Sequence, residues 1–279
     1  MSSFWVLKAS RRQSSSHATA DPAPKETTQT HPASLRTVEP GIMAPRFKVL
    51  IPVFPGFNTL DLNGPAEVVG NSAIAPTETF ATTIASATEA TSAFENITVG
   101  RNVSFVELLS NNAAELLKFD ILIIPGGPGA DVQAAIDSGG DGLLDLVEVF
   151  ATQKADEHRP KWLVSICTGA GFLAVRGLLG GKTVTGHWAY VDRLQDMCNE
   201  ASKIYKTEST TVVRKRWVDT GLTKSGIRLV TAGGVSCGID CTLWMVSELA
   251  GIELASKVAM AMDYDWKYSN IPVTTGQIL

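Results

Sequence analysis

The chain has 279 residues, of which 44% are hydrophobic and 19% are charged, a composition typical of a globular protein that buries its own core. Its formal net charge of −4 and the absence of a dense cluster of lysine and arginine disfavour nucleic acid and anionic membranes as partners, so we expect a small-molecule partner. The four cysteines are too few for a disulfide scaffold and lack the spacing of a structural zinc site.

The beginning of the chain differs in composition from the rest. Residues 1–45 are rich in Ser, Thr, Pro and Ala and hold few large apolar side chains, so we predict a disordered segment or a leader there. Lys8, Arg11 and Arg12 without a nearby acid resemble a mitochondrial transit peptide, and Met43 is an alternative start. Because the sequence shows no secretory signal and no apolar run long enough to cross a bilayer, we expect a cytoplasmic protein, with a mitochondrial location as the alternative.

Strand and helix patterns alternate after this segment. The predicted strands cover residues 47–54, 79–86, 119–127 and 161–169, and residues 211–221 and 227–234 form a hairpin-like excursion that returns to the central sheet. The predicted helices cover residues 64–71, 139–154, 168–179, 189–197, 239–250 and 253–263. This alternation indicates a single α/β domain over 46–270, with a mostly parallel sheet and helices on both of its faces, followed by a loose tail over 271–279.

Three glycine-rich segments, PGGPGA, CTGAG and TAGGVSCG, end predicted strands and should meet at the carboxyl edge of the sheet, where ligands bind in such folds. The second of them places the thiol of Cys167 where other hydrolases carry the nucleophile of a strand–turn–helix elbow. We expect the helix that follows to lower the pKa of this thiol. We also expect the backbone N–H of Thr168, together with that of Gly126 or Gly127, to stabilise an oxyanion-like charge.

A nucleophilic thiol needs a group that takes its proton, and the sequence offers two candidates. His187 follows a short predicted strand in the motif GHWAY, where a half-buried structural histidine is an equal alternative. Asp61 lies in an otherwise apolar loop after the first strand, where burial would raise its pKa and suit it to general acid and base catalysis, unless it only caps a turn. Cys237 and Cys241, four residues apart, are interpreted as core residues rather than metal ligands.

Four motifs in this order resemble the ThiJ/PfpI family of the class I glutamine amidotransferase-like superfamily: DLNGP, DILIIPGGPGA, SICTGAGFLAVRGLLGGKTVTGHWAY and TAGGVSCGIDCTLWMVSEL. The resemblance covers residues 47–265 and is strongest to the isonitrile hydratases and to similar domains of some transcription activators. It implies a flavodoxin-like three-layer α/β sandwich, usually a homodimer, with Cys167 at the family's elbow and Asp61 at the carboxylate position of the hydratase branch. Thr168 stands where the peptidase-like relatives have a histidine, so proteolysis is disfavoured, and without the activators' helix-turn-helix region we do not expect a DNA-binding regulator.

The resemblance implies a hydro-lyase that converts an isonitrile and water into an N-substituted formamide without a metal or organic cofactor. Cys167 would attack the isonitrile carbon, Asp61 would transfer the protons, and Thr168 would hold the intermediate. We expect the pocket walls to include Phe57, Trp188, Val235, Ser236 and Cys237. Two alternatives stay open: a glyoxalase-like enzyme that converts methylglyoxal into lactate, and a non-catalytic redox or stress sensor in which Cys167 is oxidised.

Overall fold

The computed structural model describes residues 47–74, 80–155 and 159–267, so the predictions for residues 1–45 and 271–279 lie outside the described part of the chain. The strands are β1 (Phe47–Pro52), β2 (Phe80–Ser86), β3 (Ala90–Ser92), β4 (Thr98–Gly100), β5 (Val103–Ser104), β6 (Ile121–Ile124), β7 (Trp162–Ile166), β8 (Thr183–Val184), β9 (Thr211–Val212), β10 (Trp217–Leu222) and β11 (Arg228–Ala232). The helices are α1 (Thr59–Asn71), α2 (Phe105–Ala113), α3 (Gly129–Asp137), α4 (Leu143–Thr152), α5 (Ala170–Val175), α6 (Val191–Tyr205), α7 (Ser236–Ala250) and α8 (Ile252–Ala261).

A seven-stranded sheet forms the centre of the described part of the chain, in the order β10-β11-β7-β6-β1-β2-β5. Every pairing in it is parallel except that of β10 with β11, the predicted hairpin. Helices α1, α7 and α8 pack together on one face, and α2 to α6 cover the other. The predicted three-layer α/β fold with a mostly parallel sheet is therefore confirmed.

The core lies along the central strands. All residues of β6 and β7 are buried, as continuous apolar runs predict for strands that are covered on both faces. Aromatic pairs connect the sheet to its helices, as in the edge-to-face contact between Trp162 and Trp244, whose ring centroids are 5.6 Å apart. None of the helices in the described ranges combines the length and the hydrophobicity that crossing a bilayer requires.

Several helices differ from their predicted bounds. Helix α1 begins five residues earlier than predicted, because the Asn58 side chain accepts hydrogen bonds from the N–H groups of Leu60 and Asp61 and so caps it. Asp61 consequently lies in the first turn of a helix and not in a loop. The predicted helix over 168–179 is a 3-10 turn, Cys167–Gly169, followed by the six-residue α5. Helices α2 and α3 had no predicted counterpart.

Candidate active site

Cys167 occupies a strained turn at the carboxyl end of β7. Its φ angle is 60°, a left-handed conformation that is uncommon for residues other than glycine and recurs at functional sites. The turn packs closely on the neighbouring strand end, because a methyl group on Gly169 would lie 2.6 Å from the carbonyl oxygen of Ile124 and 2.7 Å from that of Pro125. The chain therefore has the strand–turn–helix elbow that the sequence predicts, with the thiol at its apex.

The Asp61 carboxyl group is completely buried and interacts with the Cys167 thiol. Its Oδ2 accepts a hydrogen bond of 3.0 Å from the Gly126 N–H. Among the residues that the structure describes, no donor lies within hydrogen-bonding geometry of Oδ1. Burial raises the pKa of Asp61 from 3.8 to about 7, although the Gly126 hydrogen bond and the nearby Cys167 thiol and Val235 N–H lower it in part. The carboxyl can thus both gain and lose a proton near neutral pH.

The prediction that the following helix lowers the pKa of the thiol is wrong. Burial raises the pKa of Cys167 well above its usual value, and the neighbouring Asp61 carboxyl raises it further. A hydrogen bond from the Thr168 N–H acts in the opposite direction, but it is weaker than the loss of water around the sulfur. The thiol is therefore protonated at neutral pH, and Asp61 is the adjacent group that can accept its proton.

Two of the backbone donors predicted for an oxyanion hole already have side-chain partners. The Gly126 N–H donates to Asp61, and the Gly127 N–H donates to the Thr168 hydroxyl at 2.8 Å. The same hydroxyl donates to the Gly127 carbonyl oxygen at 2.7 Å, so it is not available to an intermediate. These bonds fix the glycine segment against the elbow, which corrects the roles predicted for Gly126, Gly127 and the Thr168 hydroxyl. The Thr168 N–H stays a predicted donor.

Cys167 lines a cavity of about 420 Å³, which we call the Cys167 cavity. Besides the elbow and the glycine segment, its walls come from Asn58, Phe94, Pro128, Ala189, Tyr190 and Val235. Val235, one of the predicted wall residues, has a φ angle of 48°, an outlier for a β-branched side chain. Phe94 was not predicted because it comes from the loop between β3 and β4, whereas Tyr190 belongs to the GHWAY motif and could have been found there.

His187 is part of the cavity wall, but the contacts described for its ring are with groups other than the Cys167 thiol. The His187 backbone N–H donates to the Cys167 carbonyl oxygen at 3.2 Å, and its Nδ1 accepts from the Ala189 N–H at 3.3 Å. The ring packs against Gly234, where a methyl group would collide with it. Burial lowers the pKa of His187, so the imidazole is neutral at neutral pH. Of the two predicted proton partners, the geometry favours Asp61.

The remaining predicted wall residues lie outside the Cys167 cavity. Phe57 is completely buried. Trp188, Ser236 and Cys237 line a second, smaller cavity instead. The assignment of these four residues to the walls around the thiol is therefore corrected.

Comparisons with known proteins show which family the chain is similar to and which solved structures share its fold. A sequence model of the DJ-1/PfpI family matches residues 47–247. The chain is 31% identical over 145 residues to an isonitrile hydratase of Pseudomonas putida, an alignment that covers 52% of each protein, so it spans about half the length of that relative. A ThiJ/PfpI family protein from Pseudomonas syringae shares the fold with a TM-score of 0.57 and 21% identity, over 89% of this chain and 87% of that one. Oxidized DJ-1 of Toxoplasma gondii also shares the fold, with a TM-score of 0.56 and 18% identity over 79% of this chain and 100% of that one.

The close packing at the elbow predicts that Gly169→Ala destabilises the protein. The added methyl group meets two backbone carbonyl oxygens that cannot move away without disturbing β6, so we expect a loss of about 1 to 3 kcal/mol in the free energy of unfolding, measured in urea. Gly70→Ala in α1 is the matched control, because a methyl group there meets no atom within 4 Å. It should stabilise the protein by about 0.5 to 1 kcal/mol. Equal effects of the two substitutions would contradict this account.

The buried carboxyl predicts a pH-dependent stability that Asp61→Asn removes. Because Asp61 binds its proton more tightly in the folded chain than in the unfolded one, its contribution favours folding at low pH and is lost as the pH rises from about 4 to about 7. The free energy of unfolding of the variant, relative to that of the wild type, should therefore increase across this window by on the order of 4 kcal/mol. Urea unfolding at several pH values measures the difference.

The control for this experiment is Asp196→Asn, which changes an exposed carboxylate on α6. Its difference from the wild type should stay nearly constant between pH 4 and pH 8. If Asp61→Asn showed the same flat behaviour, the carboxyl of Asp61 would have to be accessible to water or ionised throughout.

Proposed function

Because the chain belongs to the DJ-1/PfpI family, we propose that it is a cysteine-dependent hydratase of small isonitriles, a hydro-lyase that forms N-substituted formamides. The observation that carries the proposal is the pairing of the Cys167 thiol with a buried carboxyl group, Asp61, whose pKa is raised to about 7. The likeness to the Pseudomonas putida isonitrile hydratase supports the same activity. A thiol and a carboxyl that exchange a proton are the two groups that this reaction requires.

The first step adds the thiol across the isonitrile carbon. The Asp61 carboxylate takes the proton from Cys167 as the sulfur bonds to the terminal carbon, and it then delivers this proton to the same carbon. The product is a thioimidate, R–N=CH–S, attached to Cys167. Sulfur and hydrogen both end on one carbon atom, so a single acid–base group beside the sulfur is sufficient.

The second step adds water to the thioimidate. Asp61 takes a proton from the water molecule as the water oxygen bonds to the carbon, and this proton passes to the nitrogen to give R–NH–CH(OH)–S on the enzyme. The carbon–sulfur bond then breaks, and the hydroxyl proton returns through Asp61 to the sulfur. The formamide R–NH–CHO leaves, and both Cys167 and Asp61 are restored.

The walls of the Cys167 cavity support an apolar substrate. Phe94, Pro128, Ala189 and Val235 surround the space in front of the thiol, and they suit an alkyl or aryl group on the isonitrile nitrogen. The only charged side chain that the mechanism uses is Asp61, which is fully buried. A small neutral isonitrile therefore matches the cavity in size and polarity.

The two alternative functions have weaker support. A glyoxalase-like reaction would pass through a charged oxygen on the substrate carbon, and the Gly126 and Gly127 N–H groups that could bind it are engaged. A redox sensor relies on a thiolate at neutral pH, whereas burial and the neighbouring Asp61 raise the pKa of the Cys167 thiol. Lactate formation from methylglyoxal without glutathione, and oxidation of Cys167 by mild peroxide, measure these alternatives directly.

The proposal predicts that the purified protein converts cyclohexyl isonitrile into N-cyclohexylformamide. Chromatography measures the formamide that is formed. Cys167→Ala should abolish the reaction because no sulfur is left to bond to carbon. Asp61→Asn should lower the rate by a factor of about 10² to 10⁴, the usual contribution of a general acid–base group. Since the carboxylate form accepts the thiol proton, the wild-type rate should fall about tenfold per pH unit well below pH 7.

Cys198→Ala is the matched control for the loss of a thiol, because Cys198 is a buried cysteine on α6 that does not line the Cys167 cavity. This variant should keep the wild-type rate, and circular dichroism should show all variants folded. The proposal would be abandoned if the wild type produced no formamide from any member of a panel of alkyl and aryl isonitriles.

A further inference from the structure

A second cavity, of about 190 Å³, lies on the other side of the segments 186–190 and 233–237 from the Cys167 cavity. We call it the basic cavity. The residues that line it are Trp188, Arg214, Lys215, Arg216, Ser236 and Cys237, together with three glycines. Three consecutive basic residues thus surround one small space, and none of the residues that line it is acidic.

The positive charge of the basic cavity is only partly compensated. Arg216 forms an ion pair with the fully buried Asp240, its Nε lying 2.5 Å from Oδ2. The other oxygen of Asp240 accepts a hydrogen bond of 2.9 Å from the backbone N–H of Lys267. Within residues 47–74, 80–155 and 159–267, no ion pair involves Arg214 or Lys215. Arg214 and Lys215 therefore line the cavity without an acidic partner among the described residues.

The shape and the polarity of the basic cavity indicate what would neutralise these charges. Trp188 is 45% exposed and supplies an aromatic wall beside Arg214 and Lys215. A guanidinium and an ammonium group bind carboxylates well, and an indole face favours contact with an apolar or planar group. The volume suits a molecule of a few to about ten non-hydrogen atoms.

We propose that the basic cavity binds a small organic carboxylate, with the carboxylate between Arg214 and Lys215 and its apolar body against Trp188. This site is distinct from the catalytic one, because the His187 ring packed on Gly234 separates the two cavities. The bound molecule does not reach the Cys167 sulfur. Its binding therefore does not depend on the proposed hydratase activity, and either proposal can fail while the other holds.

The test uses benzoate as the probe, the neutral isostere benzamide and inorganic phosphate as its comparisons, and the full chain at low ionic strength. Calorimetry measures the affinity, and tryptophan fluorescence reports the location. We expect benzoate to bind with a Kd of about 1 mM or tighter and to change the fluorescence of the wild type but not of Trp188→Phe. Benzamide and phosphate should bind at least tenfold more weakly, and added salt should weaken benzoate binding.

Charge variants decide whether the basic residues are responsible. Arg214→Gln with Lys215→Gln should weaken benzoate binding at least tenfold, whereas Arg214→Lys with Lys215→Arg should retain it. Lys203→Gln with Lys257→Gln removes the same two charges from exposed positions on α6 and α8 and should leave the affinity unchanged. The proposal is overturned if benzamide binds as well as benzoate, if phosphate binds better, if the first double variant binds normally, or if benzoate does not bind.

Discussion

A carboxyl group that is shut away from water and placed beside a thiol is the constraint on which the rest of this site depends. Asp61 has no exposed surface, and burial outweighs the hydrogen bonds that favour its ionised form, so its pKa lies near neutrality. The same burial keeps the Cys167 thiol protonated. The two groups therefore form a coupled pair that can exchange a proton.

The parallel sheet brings this pair together because each central strand delivers one component to the same edge. Helix α1, which follows β1, carries Asp61; the connection after β6 carries the Gly126 N–H that donates to it, and the end of β7 carries Cys167. The connection after β11 closes the arrangement, since the Gly233 carbonyl oxygen accepts the Cys167 N–H at 3.0 Å. Four segments that are far apart in sequence thus converge at the edge where parallel sheets bind their ligands.

The features that were predictable from the sequence are those encoded locally. The buried strands read as continuous apolar runs, and the elbow reads as a thiol between small residues at a strand end. The start of α1 could also have been predicted, because Asn58 immediately precedes the first turn as a capping residue should. The pKa of the Cys167 thiol was not predictable, since it depends on how much water the complete fold excludes. The partners of Gly126 and Gly127 are likewise side chains distant in sequence.

The run Arg214 to Arg216 illustrates a related limit. Three basic residues are too few to mark a nucleic-acid surface, and as a sequence pattern they are typical of an exposed turn. Only the fold shows that they share one cavity with Trp188 and that Asp240 compensates just one of them.

The distribution of hydrogen-bond donors also bears on the kind of intermediate that the site can stabilise. A tetrahedral oxyanion requires N–H groups that point at it and have no other acceptor, yet those of Gly126 and Gly127 are held by Asp61 and Thr168. A neutral intermediate requires no such donors. Addition of a thiol to an isonitrile gives a neutral thioimidate, and its hydration gives a neutral adduct, provided that one group moves each proton as each bond forms. Asp61 meets that requirement because its pKa lies close to the pH at which the reaction would proceed.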